Sequence, residues 1–120
     1  MVCEQGDIVL IPVPFTDLSS KKRRPVIVVS NNAHNRNSAD VIVVAMTSNP
    51  SVTSFSFRLT ASDMIEGTLN RPGTVRIDKI YTLARSIIVR KFGKVSPDVV
   101  QHIRQVFDAV TSPNPPDPSA

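Results

Sequence analysis

The chain has 120 residues, the size of one domain with one core, with 41% hydrophobic residues, 20% charged residues and a net charge of +4. Those values exclude a disordered chain, and no segment approaches the roughly 20 apolar residues that a membrane helix needs, so no membrane association is expected. With one cysteine, Cys3, no internal disulfide can form; no Cys/His cluster has metal-ligand spacing and no secretory signal is evident, so neither metal nor other cofactor is expected and a reducing cytoplasmic location is the default.

Short apolar runs rich in Val and Ile fall near residues 6–13, 25–31, 40–48, 54–59, 73–78 and 85–95. β-branched enrichment at this spacing predicts the strands of a small barrel or sandwich. Pro12 and Pro14 confine the end of the first strand to an edge or a bulge. Between the first two strands stand Lys21, Lys22, Arg23 and Arg24, four consecutive cations on a short loop. Adjacent like charges repel, so such a run either solvates a loop or attracts a polyanion, with phosphate the commonest target. Pro25 ends the loop and pre-sets the backbone of the next strand, which holds Arg24 at a strand mouth where its side chain is aimed.

Further along, residues 31–39 read as a polar loop, residues 60–65 as a short helical turn, and Asn70-Arg71-Pro72-Gly73 as a turn. One helix closes the chain. Ser96 suits its N-cap, Pro97 its first position, and Asp98 the positive end of its dipole. Val99, Val100, Ile103, Val106, Phe107 and Val110 then repeat at helical spacing and predict a core-facing or subunit-facing stripe. Residues 111–120 hold four of the ten prolines and few apolar residues, and read as a flexible tail after a domain of residues 1–110.

Three polar features interrupt the apolar strands. They are Arg24, the Thr47-Ser48 pair that ends the run Val41–Met46, and Arg76 with Asp78. Residues two apart in a strand share a face, so Arg76 and Asp78 project together. Each feature alone also has a structural explanation: a solvated loop, the start of a turn, a surface ion pair.

Taken together and in order, the motifs resemble the MazF/PemK (Kid-like) toxin family. The matching segments are Gly6-Asp7-Ile8-Val9, Pro14-Phe15-Thr16-Asp17, Arg23-Arg24-Pro25-Val26-Ile27-Val28-Val29-Ser30 and Val44-Ala45-Met46-Thr47-Ser48. Val75-Arg76-Ile77-Asp78-Lys79-Ile80, Thr82-Leu83 and Arg90-Lys91-Phe92-Gly93-Lys94-Val95 follow. The resemblance covers residues 5 to about 110. It implies a mainly β, SH3-like small β-barrel with a C-terminal helix, a homodimer, and a metal-independent, sequence-selective endoribonuclease toxin held in check by a cognate antitoxin segment.

The residues suit that chemistry. Metal-free cleavage of single-stranded RNA uses the ribose 2′-OH as nucleophile on the adjacent phosphorus, leaving a 2′,3′-cyclic phosphate. It needs a proton acceptor, a proton donor and hydrogen-bond donors for the phosphorane. Arg24 offers a rigid fork to phosphate oxygens, and Thr47 adds a hydroxyl. Asp78 is the candidate acceptor of the 2′-OH proton, and Arg76 the donor or charge stabiliser. An aspartate with a pKa of roughly 4 is a weak base, so that role asks for burial or a tuned partner. Lys21, Lys22, Arg23, Ser48 and Asn49 are the candidate RNA-binding residues. Some relatives carry a His or Glu in the first loop, whereas residues 16–22 here hold neither; Asp17 stands there as a turn former or a substitute. Two alternatives share the scaffold, a non-enzymatic toxin resembling the gyrase poisons and a catalytically dead RNA-binding barrel. Only 5% of residues are aromatic and none interleaves with the basic loop, which argues against a base-stacking platform.

Overall fold

Residues 2–12, 23–51 and 54–113 are described by the computed structural model. The elements run β1 (Asp7–Pro12), β2 (Arg23–Val28), α1 (Asn32–Asn37), β3 (Asp40–Thr47), β4 (Ser56–Leu59), β5 (Met64–Glu66), β6 (Gly73–Ala84), β7 (Arg90–Val95) and α2 (Pro97–Thr111). The strands make one antiparallel seven-stranded sheet, in the order β4-β6-β3-β2-β1-β7-β5, curled into a half-barrel with α2 against one face. The mainly β class with a C-terminal helix is therefore as expected.

Central strands read as continuous apolar runs because both of their faces are covered. Val26, Ile27 and Val28 on β2 stand opposite Ala45, Val44 and Val43 on β3. Ile8, Ile27, Val44, Met46, Val75 and Ile77 turn toward α2, whereas Val9, Val26, Val28, Val41 and Val43 turn to the other side together with Cys3. Each such side chain contributes about 1.5–3 kcal/mol of burial. Cys3 is a core thiol whose pKa is raised by burial.

The closing helix starts as its sequence indicates. The Ser96 side chain accepts the Val99 N–H at 3.4 Å, and Pro97 and Asp98 occupy the first turn. Val99 and Ile103 are buried, and Val100 and Val106 pack beside them. Phe107 departs from the expected stripe and is 44% exposed. His102 stacks on Phe57 of β4 with ring centroids 4.1 Å apart.

Four local expectations are corrected. Residues 32–37 form a helix rather than a loop: Asn31 Oδ1 caps the His34 N–H at 2.8 Å, and Asn35 is fully buried. Asn35 Nδ2 donates to Ser30 O at 2.9 Å while its Oδ1 accepts the Ser30 hydroxyl at 2.5 Å. Buried amide hydrogen bonds replace the apolar stripe that the segment lacks. The turn expected at 60–65 divides into a 3-10 turn, Ala61–Asp63, and strand β5. The strand expected at 73–78 continues to Ala84 through a bulge, and the run expected at 85–95 opens with a 3-10 turn, so that only Arg90–Val95 is extended. Pro12 lies beyond Leu10, the last β1 residue paired with β7, so its missing N–H costs that ladder nothing. Pro14, Asp17 and residues 114–120 of the expected tail lie outside the described residues, and Thr111 still belongs to α2.

Asp7, from the first motif, is structural. It is buried, its Oδ2 accepts the Glu4 N–H at 2.9 Å, and Lys91 Nζ lies 3.2 Å from its Oδ1. That last contact is an attraction between charges without hydrogen-bond alignment. Lys91 also reaches Glu66 Oε2 at 2.6 Å, which joins β1, β7 and β5 and lowers the Glu66 pKa. Gly93 permits this approach, because a Cβ there would lie 2.7 Å from Glu66 O.

Candidate functional site

Strand register decides which polar side chains meet. Directly opposed residues of neighbouring strands share a face. Ile11 stands opposite Arg24, Val26 opposite Ala45, Ala45 opposite Arg76, Thr47 opposite Thr74 and Val43 opposite Tyr81. Arg24, Thr47, Arg76 and Tyr81 therefore all leave the sheet on the side away from α2. Arg24 lies two residues beyond Val26 and Thr47 two beyond Ala45, so both come to the same end of that face.

These side chains line a cleft of about 840 Å³, together with Ile11, Pro12, Asn49, Ser51, Lys79, Leu83 and Ile87. Its described lining holds three cations, Arg24, Arg76 and Lys79, and no carboxylate. A concave, water-poor wall of one sign concentrates field lines and attracts anions. Apolar floor and cationic rim together suit a ligand that is charged along one edge and flat along another.

Asp78 stands beside the cleft, joined to Arg76 by two bonds. Arg76 Nε donates to Oδ1 at 3.0 Å and Nη2 to Oδ2 at 2.8 Å, a bidentate pair. The hydrogen bonds from Arg76 hold the Asp78 carboxyl below its usual range, and the same pairing raises the Arg76 pKa. The shared projection read from the sequence is thus present. Its effect on Asp78 is opposite to the tuning that a general base asks for.

The structure brings Arg24, Thr47, Asn49 and Arg76 to one cleft and sets Asp78 behind Arg76. Arg23 lies opposite Pro12 and, as Arg24's strand neighbour, points the other way; neither it nor Ser48 lines the cleft. Lys21 and Lys22 lie outside the described residues. Sequence reasoning missed Tyr81, a cleft-lining aromatic that is 40% exposed, and Lys79 and Ser51 beside it. The alternation Lys79-Tyr81-Leu83 past Arg76 was the available signal. Among the described residues no group of three or more His, Cys, Asp or Glu could hold a metal ion, and no helix is long and apolar enough to cross a membrane.

Comparison with known proteins identifies the family and the fold. Residues 4–111 match the model of the PemK-like, MazF-like toxins of type II toxin–antitoxin systems. A mycobacterial endoribonuclease solved in complex with its cognate antitoxin is 26% identical, with 94% of this chain and 99% of that one covered and a TM-score of 0.74. A second mycobacterial endoribonuclease is 28% identical, with coverage of 96% and 97% and a TM-score of 0.72. A MazE–MazF complex from Deinococcus radiodurans shares the fold at 21% identity, with coverage of 93% and 97% and a TM-score of 0.73. No curated protein matches the sequence.

Proposed function

The chain belongs to the PemK-like, MazF-like toxins of type II toxin–antitoxin systems, and we propose that within this family it is a metal-independent, sequence-selective endoribonuclease. The observation that carries the reading is the convergence of Arg24, Thr47 and Arg76 on one cleft whose described lining has no carboxylate. A single-stranded RNA threads its phosphates past the cations. The face of Tyr81 is open to a base, an adaptable contact because every base has a π-face.

In the proposed reaction the 2′-O–P bond forms as the P–O5′ bond breaks, giving a 2′,3′-cyclic phosphate and a 5′-OH. Arg24 and the Thr47 hydroxyl donate to the phosphorane oxygens, where charge grows. The Arg76–Asp78 pair links charge and proton. When Arg76 turns its fork to the phosphate, Asp78 loses the hydrogen bonds that depress its pKa. Its proton affinity rises at the moment the 2′-OH proton must leave. The proton for the departing 5′-oxygen comes from Arg76 or from solvent that it orients.

A homodimer follows from the exposed apolar side chains Ile87 and Val89. A cognate antitoxin segment carrying carboxylates and apolar anchors would complement the same cleft, ordering on it and excluding RNA. An RNA substrate places the action in the cytoplasm. The test is incubation of the purified protein with a long RNA in EDTA, with both new ends mapped. Cyclic-phosphate and 5′-OH ends that vanish when the ribose at the cut is replaced by deoxyribose support the reading. Cutting of all-DNA strands, or a strict Mg²⁺ requirement, overturns it.

A further inference from the structure

We infer that Thr74, backed by Arg58, is a positioning residue that aims the Thr47 hydroxyl into the cleft, an inference resting on the nuclease reading above. Thr74 is completely buried on β6, opposite Thr47 of β3 on one side and Arg58 of β4 on the other. A buried hydroxyl without partners costs about 1–3 kcal/mol, so its bonds explain its presence.

Those bonds run in one direction. Arg58 Nη1 donates to Thr74 Oγ1 at 3.0 Å, and Thr74 Oγ1 donates to Asn49 O at 2.8 Å. A guanidinium has donors only. Arg58 therefore occupies a lone pair of Thr74 and leaves its proton for the Asn49 carbonyl. On the other side of the Asn49 Cα, the Asn49 N–H donates to Thr47 Oγ1 at 3.2 Å. Thr47 thus receives a bond from within the protein, and its own proton is left to point outward, toward the cleft it lines. Asn49 Oδ1 also accepts the Ser51 N–H at 3.0 Å, which stiffens the loop that joins these groups.

An unconstrained Thr47 hydroxyl would rotate among staggered positions and donate elsewhere part of the time. Pinning Asn49 on both sides of its Cα removes that freedom before substrate arrives. Such preorganisation acts on the transition state, where phosphate charge is greatest, and little on ground-state binding. Thr74 and Arg58 touch neither phosphate nor ribose in this scheme and work through Thr47.

The experiment is a double-mutant cycle on single-turnover cleavage of one long RNA in EDTA, with RNA affinity measured for each protein. Thr74→Val should slow cleavage about 10- to 100-fold while affinity changes less than about twofold. Thr74→Ser should restore most of the rate. In a Thr47→Val background, Thr74→Val should add almost nothing, since the hydroxyl it aims is gone. Additive losses, or absence of rescue by serine, would overturn the inference. If Thr74→Val does not fold, Arg58→Met carries the cycle, with an expected loss of about threefold that again disappears without the Thr47 hydroxyl; a wild-type rate overturns it. Wild-type protein and Arg24→Ala run alongside. A wild type that leaves RNA intact defeats the nuclease reading and this inference with it. A wild type that cuts, beside a Thr74→Val that cuts equally fast, defeats the inference alone.

Discussion

The two faces of the curled sheet are built by the same strands and end differently. Toward α2, Ile8, Ile27, Val44 and Ile77 meet Val99 and Ile103, and the side chains that close this face are apolar. On the opposite face Val9, Val26, Val28, Val41 and Val43 begin in the same manner, and give way to Arg24, Thr47 and Arg76 at one end, with Tyr81 standing opposite Val43. One face is given mainly to burial against the helix. The other stops short and uses the uncovered end for charge. Core packing and the proposed chemistry thereby fall on opposite sides of single strands, sometimes on residues next to each other in sequence.

That separation is easiest to break at Arg24 and Ile27, three residues apart on β2. Arg24→Ala should lower the single-turnover cleavage rate by about 10²–10³-fold with its urea midpoint nearly unchanged. Arg24→Lys should also cut poorly, because an ammonium lacks the bidentate fork. Ile27→Ala should do the reverse, losing about 2–5 kcal/mol in urea unfolding while molecules that remain folded cut normally. Fast cutting by Arg24→Ala, or its unfolding, would show that the faces are not separable.

Asp78→Asn tests the coupling of charge and proton on the open face. It keeps the shape, removes the acceptor, and should cost about 10²-fold in rate at saturating RNA. A variant as fast as wild type would remove Asp78 from the reaction. Charge reversal at Lys21 or Lys22 is expected to act on binding instead. Each lost phosphate contact should reduce the salt slope of RNA affinity by about one, with the rate at saturation little altered. A fall in saturated rate at constant affinity would move those residues into the reaction.

The smallest expected effect lies at the Lys91 bridge, which does not line the cleft. The Glu66 pKa is lowered by its hydrogen bond from Lys91, so folding gains from this carboxylate while it is ionised. The gain should be fully present above the unfolded carboxylate pKa and disappear as pH falls through the lower, folded one. The Tm difference between wild type and Glu66→Gln should accordingly be small, flat from neutral pH to about 5, and shrink below about 4. A difference that grows on acidification would contradict the bridge.

How legible each feature was depends on how local its cause is. The β-branched runs and the α2 stripe announce themselves because periodicity and capping lie within a few residues: Ser96, Pro97 and Val99 suffice to start the helix. Helix α1 does not, since it rests on Asn35 reaching back to Ser30 and on no apolar pattern. Arg24, Thr47 and Arg76 were visible as polar breaks in apolar strands, yet their meeting depends on register. Tyr81 escaped notice because it lies 57 positions after Arg24 in the chain and only the sheet returns it to the cleft. The chain of bonds through Thr74 had no sequence signature at all, being a threonine in a strand, where threonine is common.

The bulge in β6 has a consequence for the phase of that strand. Before it, even-numbered residues lie on the cleft side of the sheet, as Thr74 and Arg76 do opposite Thr47 and Ala45; after it, odd-numbered residues do, as Tyr81 and Leu83 do opposite Val43 and Val41. A ladder drawn straight through residues 77–79 would bring Asp78 opposite Val43 and carry the Tyr81 ring to the helix side. The irregularity thus works as a half-period shift that lets one continuous strand present a guanidinium and an aromatic ring to the same opening. Any reading of hydropathy that keeps a single alternation along β6 assigns the strand's second half to the wrong side.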